Sequence, residues 1–153
     1  MREGRKSRIL AAWDQTIEGT DAATYGYGLE YSAEEIQAAI DEERRIITDV
    51  TGHGTFCGET AMSVAVDADI IMVKLKQAKQ NLRELYGIPQ EPVACSEVDI
   101  MTAIAYLLRI QHMLKRPMCV LVAWGSNSGS HTGAGALEKY INNIGDLKGL
   151  AVA

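Results

Sequence analysis

Residues 49–58 read Asp-Val-Thr-Gly-His-Gly-Thr-Phe-Cys-Gly, and this stretch says most about the fold and the function of the chain. His53 stands between two glycines and is followed by a helix-compatible apolar run, so we expect it at the start of a helix. The glycines let other groups approach the imidazole closely. A helix start offers free backbone N–H groups, and histidine is the side chain suited to move protons near neutral pH. A glycine-rich turn in which His53 only caps or packs explains these residues equally well.

Composition sets the class of protein around this stretch. The chain has 153 residues, 47% of them hydrophobic and 23% charged, which is typical of one globular domain or a piece of a larger one. The formal net charge of −5 argues against a nucleic-acid partner. Apolar runs are too short to predict a membrane span, and the polar start is not typical of a signal peptide. The sequence has no cluster of carboxylates that would indicate a metal site, and we expect no cofactor.

The first half of the sequence predicts alternating strands and helices. Ser32 and Glu35 form a capping box, which marks a helix start. The helix of His53 is rich in small apolar residues, so we expect it to be buried. The predicted elements are a strand at Ile9–Trp13, an irregular segment from Asp14 to Tyr31, a helix from Ser32 to about Glu43, a helix from His53 to about Val66 and a strand at Asp69–Leu75.

The second half continues the alternation. Ser96 is expected to cap a long helix, whose core stripe would contain Val98, Met101, Ile104, Ala105 and Leu108. The other predicted elements are a helix at Gln77–Tyr86, a strand at Met118–Trp124, a helix at Ala136–Ile144 and a strand starting at Leu150–Ala153. This order predicts an α/β fold with three layers and a doubly wound, mostly parallel sheet. A sheet ending in a half-length strand predicts a partial domain, with exposed edges that favour self-association.

The three cysteines do not form a disulfide or zinc pattern, because their number is odd and no CxxC spacing occurs. Cys119 lies in an apolar run and is expected to be buried. Cys57 follows His53 by four residues, which places both on one face of a helix. A Cys/His nucleophile pair is therefore conceivable, although we favour a Cys57 side chain that faces the core.

Beyond these local patterns, the string from Asp49 to Thr55 resembles the D-x-x-G-H-G-T motif of the subtilisin-like serine proteases, the subtilases. The segments 68–75, 119–125 and 149–153 are similar to strands that follow in the same order in that family. The resemblance implies a subtilisin-like fold in which His53 is the general base. It also implies that the backbone of Ala123, Trp124 and Gly125 pairs with an extended peptide or protein substrate, and that no metal or cofactor takes part.

A narrower resemblance is to the subtilases of spore-forming clostridia and related Firmicutes, which include germination-associated proteases. It rests on the strings Arg8-Ile-Leu-Ala-Ala-Trp-Asp-Gln-Thr16, Tyr27-Gly-Leu-Glu-Tyr31, Glu97-Val-Asp-Ile100 and Gly125-Ser-Asn-Ser-Gly-Ser-His131. This likeness implies a cytoplasmic or spore-associated protein.

The sequence also departs from the family, since it has neither the Asp-Thr-Gly motif of the triad aspartate nor the Gly-Thr-Ser motif of the nucleophile. Residues 1–153 therefore resemble a central fragment of a catalytic domain, expected to be inactive alone. Asp14 and the loop serines Ser126, Ser128 and Ser130 are weak substitutes for the missing groups. Trp124 either lines a substrate site or fills the core. A non-catalytic pseudoprotease or peptide-binding module is the alternative, and a flavodoxin-like binding domain is a more distant one.

Overall fold

The computed structural model describes residues 6–18, 24–91, 93–125, 129–130 and 132–153. The chain is mixed α/β and divides into two compact units, Met1–Lys74 and Leu75–Ala153. Each unit has a small sheet of its own. No helix in the described ranges is long and apolar enough to cross a membrane.

The first unit is built on a three-stranded sheet. Its elements are β1 (Ile9–Asp14), β2 (Leu29–Ser32), α1 (Ala33–Asp41), α2 (His53–Val64) and β3 (Ile70–Lys74). The strand order is β2-β1-β3, with β1 antiparallel to β2 and parallel to β3. The predicted strands at both ends of this unit are thus present. The prediction of an irregular segment from Asp14 to Tyr31 is wrong at the end of that segment, because Leu29–Ser32 form β2 and pair with β1.

The core of the first unit lies under the end of β1. Trp13 is fully buried. Its ring packs against Tyr25 and Tyr27, with ring centroids 5.2 and 5.3 Å away. Gly28 closes this cluster with φ of +78°, and a Cβ atom there would meet Trp13 Nε1 and lie 2.8 Å from the Asp14 carbonyl oxygen. Glycine is needed at this turn for both reasons.

Helix α1 begins as its capping box predicts. Ser32 Oγ accepts a hydrogen bond from the Glu35 N–H at 3.3 Å, and Glu35 Oε2 accepts one from the Ser32 N–H at 2.8 Å. Ile36 and Ala39 are buried. The helix ends at Asp41, two residues before the predicted end at Glu43.

Helix α2 is not the buried helix that its small apolar residues predict. None of its residues is buried, and Phe56 is 69% exposed. Glu59, for which a buried position would require a partner, is exposed as well. The composition of α2 indicates a helix able to pack closely, but burial also requires a covering surface, and the described residues of this unit do not supply one.

The second unit has a two-stranded parallel sheet and three helices in its described ranges. Its elements are α3 (Gln80–Leu85), α4 (Glu97–Leu114), β4 (Met118–Val120), α5 (Ala136–Gly145) and β5 (Leu150–Val152). Ile100, Ile104, Val120 and Ile144 form the buried core between α4, β4 and α5.

Three details of the second unit differ from the sequence predictions. The strand expected at Met118–Trp124 is regular only to Val120, where it pairs with the three residues of β5. Cys119 is exposed, since alternate residues of β4 face away from the core. On α4 the predicted stripe is partly wrong: Ile104 is buried, but Val98 is 62% exposed. Asp99 is buried beside it and pairs with Lys76 at 3.1 Å.

The helix predicted at 77–86 is shorter in the structure, where α3 spans Gln80–Leu85, and the buried side chain of Arg83 contacts the residues on both sides of it. Arg83 of α3 is 4% exposed. Its guanidinium donates to Gln77 Oε1 at 2.9 Å and to the Pro89 carbonyl oxygen. These bonds link residues before and after α3.

Candidate active site

His53 is the first residue of α2, where the glycine-flanked motif places it. The carboxylate of Asp49 fixes this helix start. Its Oδ1 accepts from the N–H groups of Thr51 and Gly52 at 3.1 and 2.9 Å. Its Oδ2 accepts from the N–H and the hydroxyl of Thr55, both at 2.8 Å. Asp49 therefore caps α2, although it lies three residues before Gly52, the residue at the N-cap position.

The backbone of this turn explains the first glycine of the motif. Gly52 precedes the helix with φ of +79°, a left-handed conformation that glycine adopts without strain. The hydrogen bonds from Thr55, with those from Gly52 and Thr51, hold the pKa of the Asp49 carboxyl well below its usual range. Asp49 is consequently ionised at neutral pH, and its charge lies at the positive end of the helix.

The imidazole of His53 is exposed and contacts the next turn of its own helix. Nε2 lies 3.6 Å from Sγ of Cys57, which is half-buried. The N–H of His53 donates to Thr51 Oγ1 at 3.3 Å. The prediction that Cys57 shares a face with His53 is confirmed by this distance, whereas the expectation that the thiol faces a core is wrong.

The exit of α2 is fixed by Arg8, the residue immediately before β1. Arg8 Nη1 donates to the carbonyl oxygens of Ala65 at 3.2 Å, of Ala68 at 3.3 Å, and of Val66. The Arg8 carbonyl oxygen also accepts from the Ile70 N–H at 2.8 Å. Arg8 thereby joins the end of the His53 helix to the ladder between β1 and β3.

Asp14, the weak substitute for a triad aspartate, is occupied by structural partners. It is 2% exposed at the end of β1. Oδ2 lies 3.1 Å from Lys74 Nζ, and Oδ1 accepts from the N–H and the hydroxyl of Thr16 at 2.8 and 2.5 Å. Lys74 is the residue opposite Asp14 in the parallel register of β1 and β3. This geometry gives Asp14 the role of a buried ion-pair partner.

The predicted substrate-pairing residues belong to the second unit and follow β4. Ala123 and Gly125 are exposed, while Trp124 is half-buried and packs against the core that contains Ile100 and Val120. The Trp124 N–H donates to the Val122 carbonyl oxygen at 2.8 Å. The indole therefore contributes to the core, and the alternation leaves the residues on either side accessible.

Of the remaining candidate site residues, some lie within the described ranges and some lie outside them. Ser126, Ser128 and His131 lie outside the described residues. Ser130 is exposed, with its Oγ 2.8 Å from Thr132 Oγ1. His112 is exposed in the last turn of α4. Within the described ranges, no group of three or more His, Cys, Asp or Glu side chains is arranged to hold a metal ion.

Two contacts at this site were not predicted from the sequence. The capping role of Asp49 could have been predicted, because an aspartate shortly before a Gly-His-Gly-Thr turn can accept hydrogen bonds from several N–H groups. The pairing of Asp14 with Lys74 had no such signal, since it depends on the register between strands 60 residues apart.

Comparison with known proteins places the chain by its fold. No family model and no curated protein matches the sequence. The fold is nevertheless one already seen in a bacterial protease. That structure is the CspB protease of Clostridium perfringens, which this chain matches with a TM-score of 0.72 and 22% sequence identity. The likeness is therefore one of fold, and it supports a subtilase-like fold for this chain.

The extent of the match differs between the two proteins. It covers 96% of this chain and 30% of the protease, so the chain spans less than a third of that protein's length.

Proposed function

We propose that this chain is the central part of a subtilisin-like serine endopeptidase domain in which His53 is the general base. The observation that carries the proposal is the start of α2, where Asp49 and Gly52 fix the first turn and leave the imidazole accessible. The protease fold covering 96% of the chain supports it. The narrower assignment to a clostridial, germination-related subgroup, with one doubly wound sheet in three layers, belongs to the same proposal.

In this proposal His53 accepts the proton of a serine hydroxyl as that oxygen attacks the peptide carbonyl, and returns it to the leaving amine. The serine, the aspartate that orients the imidazole and the oxyanion donors come from residues other than these 153. The exposed backbone of Ala123 and Gly125 pairs with the substrate as an added strand. The 153 residues alone hydrolyse no peptide, because they contain no Gly-Thr-Ser motif whose serine His53 could activate.

The test compares the activities of His53→Ala and His112→Ala, two variants at exposed histidines. Both are made in the full protein encoded by the open reading frame that contains these residues. We expect that protein to cleave a fluorogenic casein and to react with a fluorophosphonate at one serine. His53→Ala lowers kcat by several orders of magnitude, on the order of 10⁶-fold where the triad acts as a unit. His112→Ala is the matched control and keeps full activity. Equal activity of the two variants contradicts the role of His53.

The isolated chain gives a second readout. We expect no fluorophosphonate labelling of the 153 residues. Labelling at a single serine, such as Ser130, contradicts the proposed division of the triad and points to a nucleophile within this chain.

A non-catalytic peptide-binding module is the alternative, and one observation favours it. His53 Nε2, the atom that a general base uses, lies against Cys57 rather than open on all sides. If the reading-frame protein binds an unstructured peptide, seen as a change in tryptophan fluorescence, without cleaving it or reacting with a fluorophosphonate, this second function is the correct one.

Self-association through sheet edges is the partner prediction that accompanies either function. Among the described residues of the first unit, β2 and β3 are the outer strands of the sheet, and outer strands present backbone groups that can pair with another chain. We expect the isolated chain to show a concentration-dependent mass in light scattering. A monomer at every concentration contradicts this prediction.

A further inference from the structure

His53 and Cys57 form a pair of metal-ligating side chains on the exposed surface of α2. They are four residues apart, which places them one above the other on a helix. Their ligating atoms, Nε2 and Sγ, are 3.6 Å apart. The ring is exposed and the thiol is half-buried, so a solvated cation can reach both.

We propose that these two side chains bind one thiophilic divalent cation, of which Zn²⁺ is the type, between Nε2 of His53 and Sγ of Cys57. Zinc binds a thiolate at about 2.3 Å and an imidazole nitrogen at about 2.0–2.1 Å in tetrahedral geometry. Those bond lengths and that angle place the sulfur and the nitrogen about 3.6 Å apart. Nε2 and Sγ are hydrogen-bonded to each other at 3.6 Å in the structure, which is the separation that a shared cation requires, so the cation would replace the proton between them.

The start of α2 preorganises the pair. Asp49 fixes the turn before His53 through Gly52 and Thr55, so the histidine backbone is held before any cation arrives. On binding, the Cys57 thiol releases its proton to solvent and the thiolate donates an electron pair to the metal. The neutral imidazole donates the Nε2 lone pair.

Two protein ligands leave two positions for water. No third His, Cys, Asp or Glu side chain completes the set among the described residues. The site is therefore open and reversible, unlike a closed structural zinc site with four protein ligands. It also differs from the sequence expectation of no metal, which rested on the lack of a carboxylate cluster and on an odd number of cysteines without CxxC spacing.

Binding has a consequence for the proposed function, and this consequence rests on it. Nε2 is the atom through which a general base receives the serine proton, and a bound cation occupies its lone pair. The cation therefore acts as a reversible inhibitor of the proposed peptidase. Cation binding itself does not depend on peptidase activity.

The experiment titrates the 153-residue chain with Cd²⁺ and Co²⁺, whose bonds to thiolate give ultraviolet charge-transfer absorption. A Cys95→Ser/Cys119→Ser background isolates the third thiol. Of the two replaced thiols, Cys119 is exposed and is the main competitor. Burial and the neighbouring Asp99 raise the pKa of the Cys95 thiol, which disfavours its thiolate.

We expect saturable binding of one cation per chain. Cys57→Ser abolishes the charge-transfer absorption, and His53→Ala weakens binding on the order of tenfold or more because one of the two ligands is lost. His112→Ala is the matched control and leaves the affinity unchanged. Both variants at the pair replace side chains on an exposed helix, and circular dichroism verifies that they are folded.

Three results overturn the proposal. They are absorption that persists in Cys57→Ser, an affinity that His53→Ala does not change, and a titration that does not saturate. A protein that binds the cation in this way but has no peptidase activity retains the metal site and contradicts only the proposed function.

Discussion

The end of β1 and the start of α2 lie in the same unit but are stabilised in opposite ways. At the strand end, Trp13, Asp14 and Gln15 are at most 2% exposed. Asp14 is held there by Lys74, a residue 60 positions further along the chain. At the helix start His53 is exposed, and the residues that fix the turn, Asp49 and Thr55, are six positions apart.

This difference separates the scaffold from the candidate base. The strand end depends on burial and on partners that only the folded sheet brings together. The helix start depends on hydrogen bonds within one turn and requires no core. We therefore expect changes at the strand end to unfold the unit, and changes at the helix start to remain local.

The largest effect is expected from Lys74→Met. This change leaves the buried Asp14 carboxylate without its ion-pair partner, and removing one member of such a pair costs about 3 kcal/mol. Urea unfolding followed by far-UV circular dichroism measures the loss. The double variant Asp14→Asn/Lys74→Met is the control and recovers most of the stability, because the buried charge is gone. A single variant as stable as the parent shows that the pair contributes nothing.

A smaller effect is expected from Gly28→Ala. Alanine is strained at φ of +78°, and its Cβ atom meets Trp13 Nε1, so the turn must open or the indole must move. A non-glycine residue in such a conformation costs about 1–3 kcal/mol. The unfolding midpoint should fall and the fluorescence of Trp13 should shift to the red. Gly26→Ala is the matched control for strain without contact, since nothing lies within 4 Å of a Cβ atom there. Equal losses in the two variants mean that the Trp13 contact is unimportant.

The smallest and most local effect is expected from Asp49→Ala. The first turn of α2 loses the acceptor for Thr55, so the Thr55 amide exchanges faster while the unfolding midpoint of the unit stays where it is. Amide hydrogen exchange followed by NMR measures this difference. Faster amide exchange throughout the unit, or a lower unfolding midpoint, would show that the helix start is coupled to the core.

The same carboxylate gives a pH dependence. Folding lowers the pKa of Asp49, so its stabilising contribution is fully present above the pKa of the unfolded chain, about 3.9. It is lost as the pH falls through the lower pKa of the folded state. Protection of the Thr55 amide should therefore persist at pH 4 and decline only in stronger acid. A decline that begins near neutral pH contradicts the assignment to Asp49.

Patterns decided within a few residues could be predicted from the sequence. The capping box at Ser32 marks the start of α1 to the residue, and the Gly-His-Gly turn places His53 at the start of α2. Strands β1 and β3 follow from their apolar runs. These features depend on local hydrogen bonds or on a short apolar run, both visible in one segment.

Features that depend on a partner elsewhere could not be predicted in the same way. Burial of α2 was expected from its small residues, yet burial needs a covering surface. Helix α4 is apolar on most sides, so its period did not fix which side is buried, and the side chosen included the exposed Val98. The ion pair at Asp14 and the buried Arg83 depend on register and on loop conformation, which no single segment encodes.

The clamp made by Arg8 also has a consequence for the order of folding. Arg8 reaches the carbonyl oxygens that follow α2 across 57 to 60 residues of chain, the same interval that separates β1 from β3. Closing so long a loop is entropically costly and slow compared with forming a turn. We expect the first turn of α2 to form early, whereas its exit becomes fixed only when the parallel ladder closes. The two ends of the histidine helix therefore belong to different stages of the folding reaction.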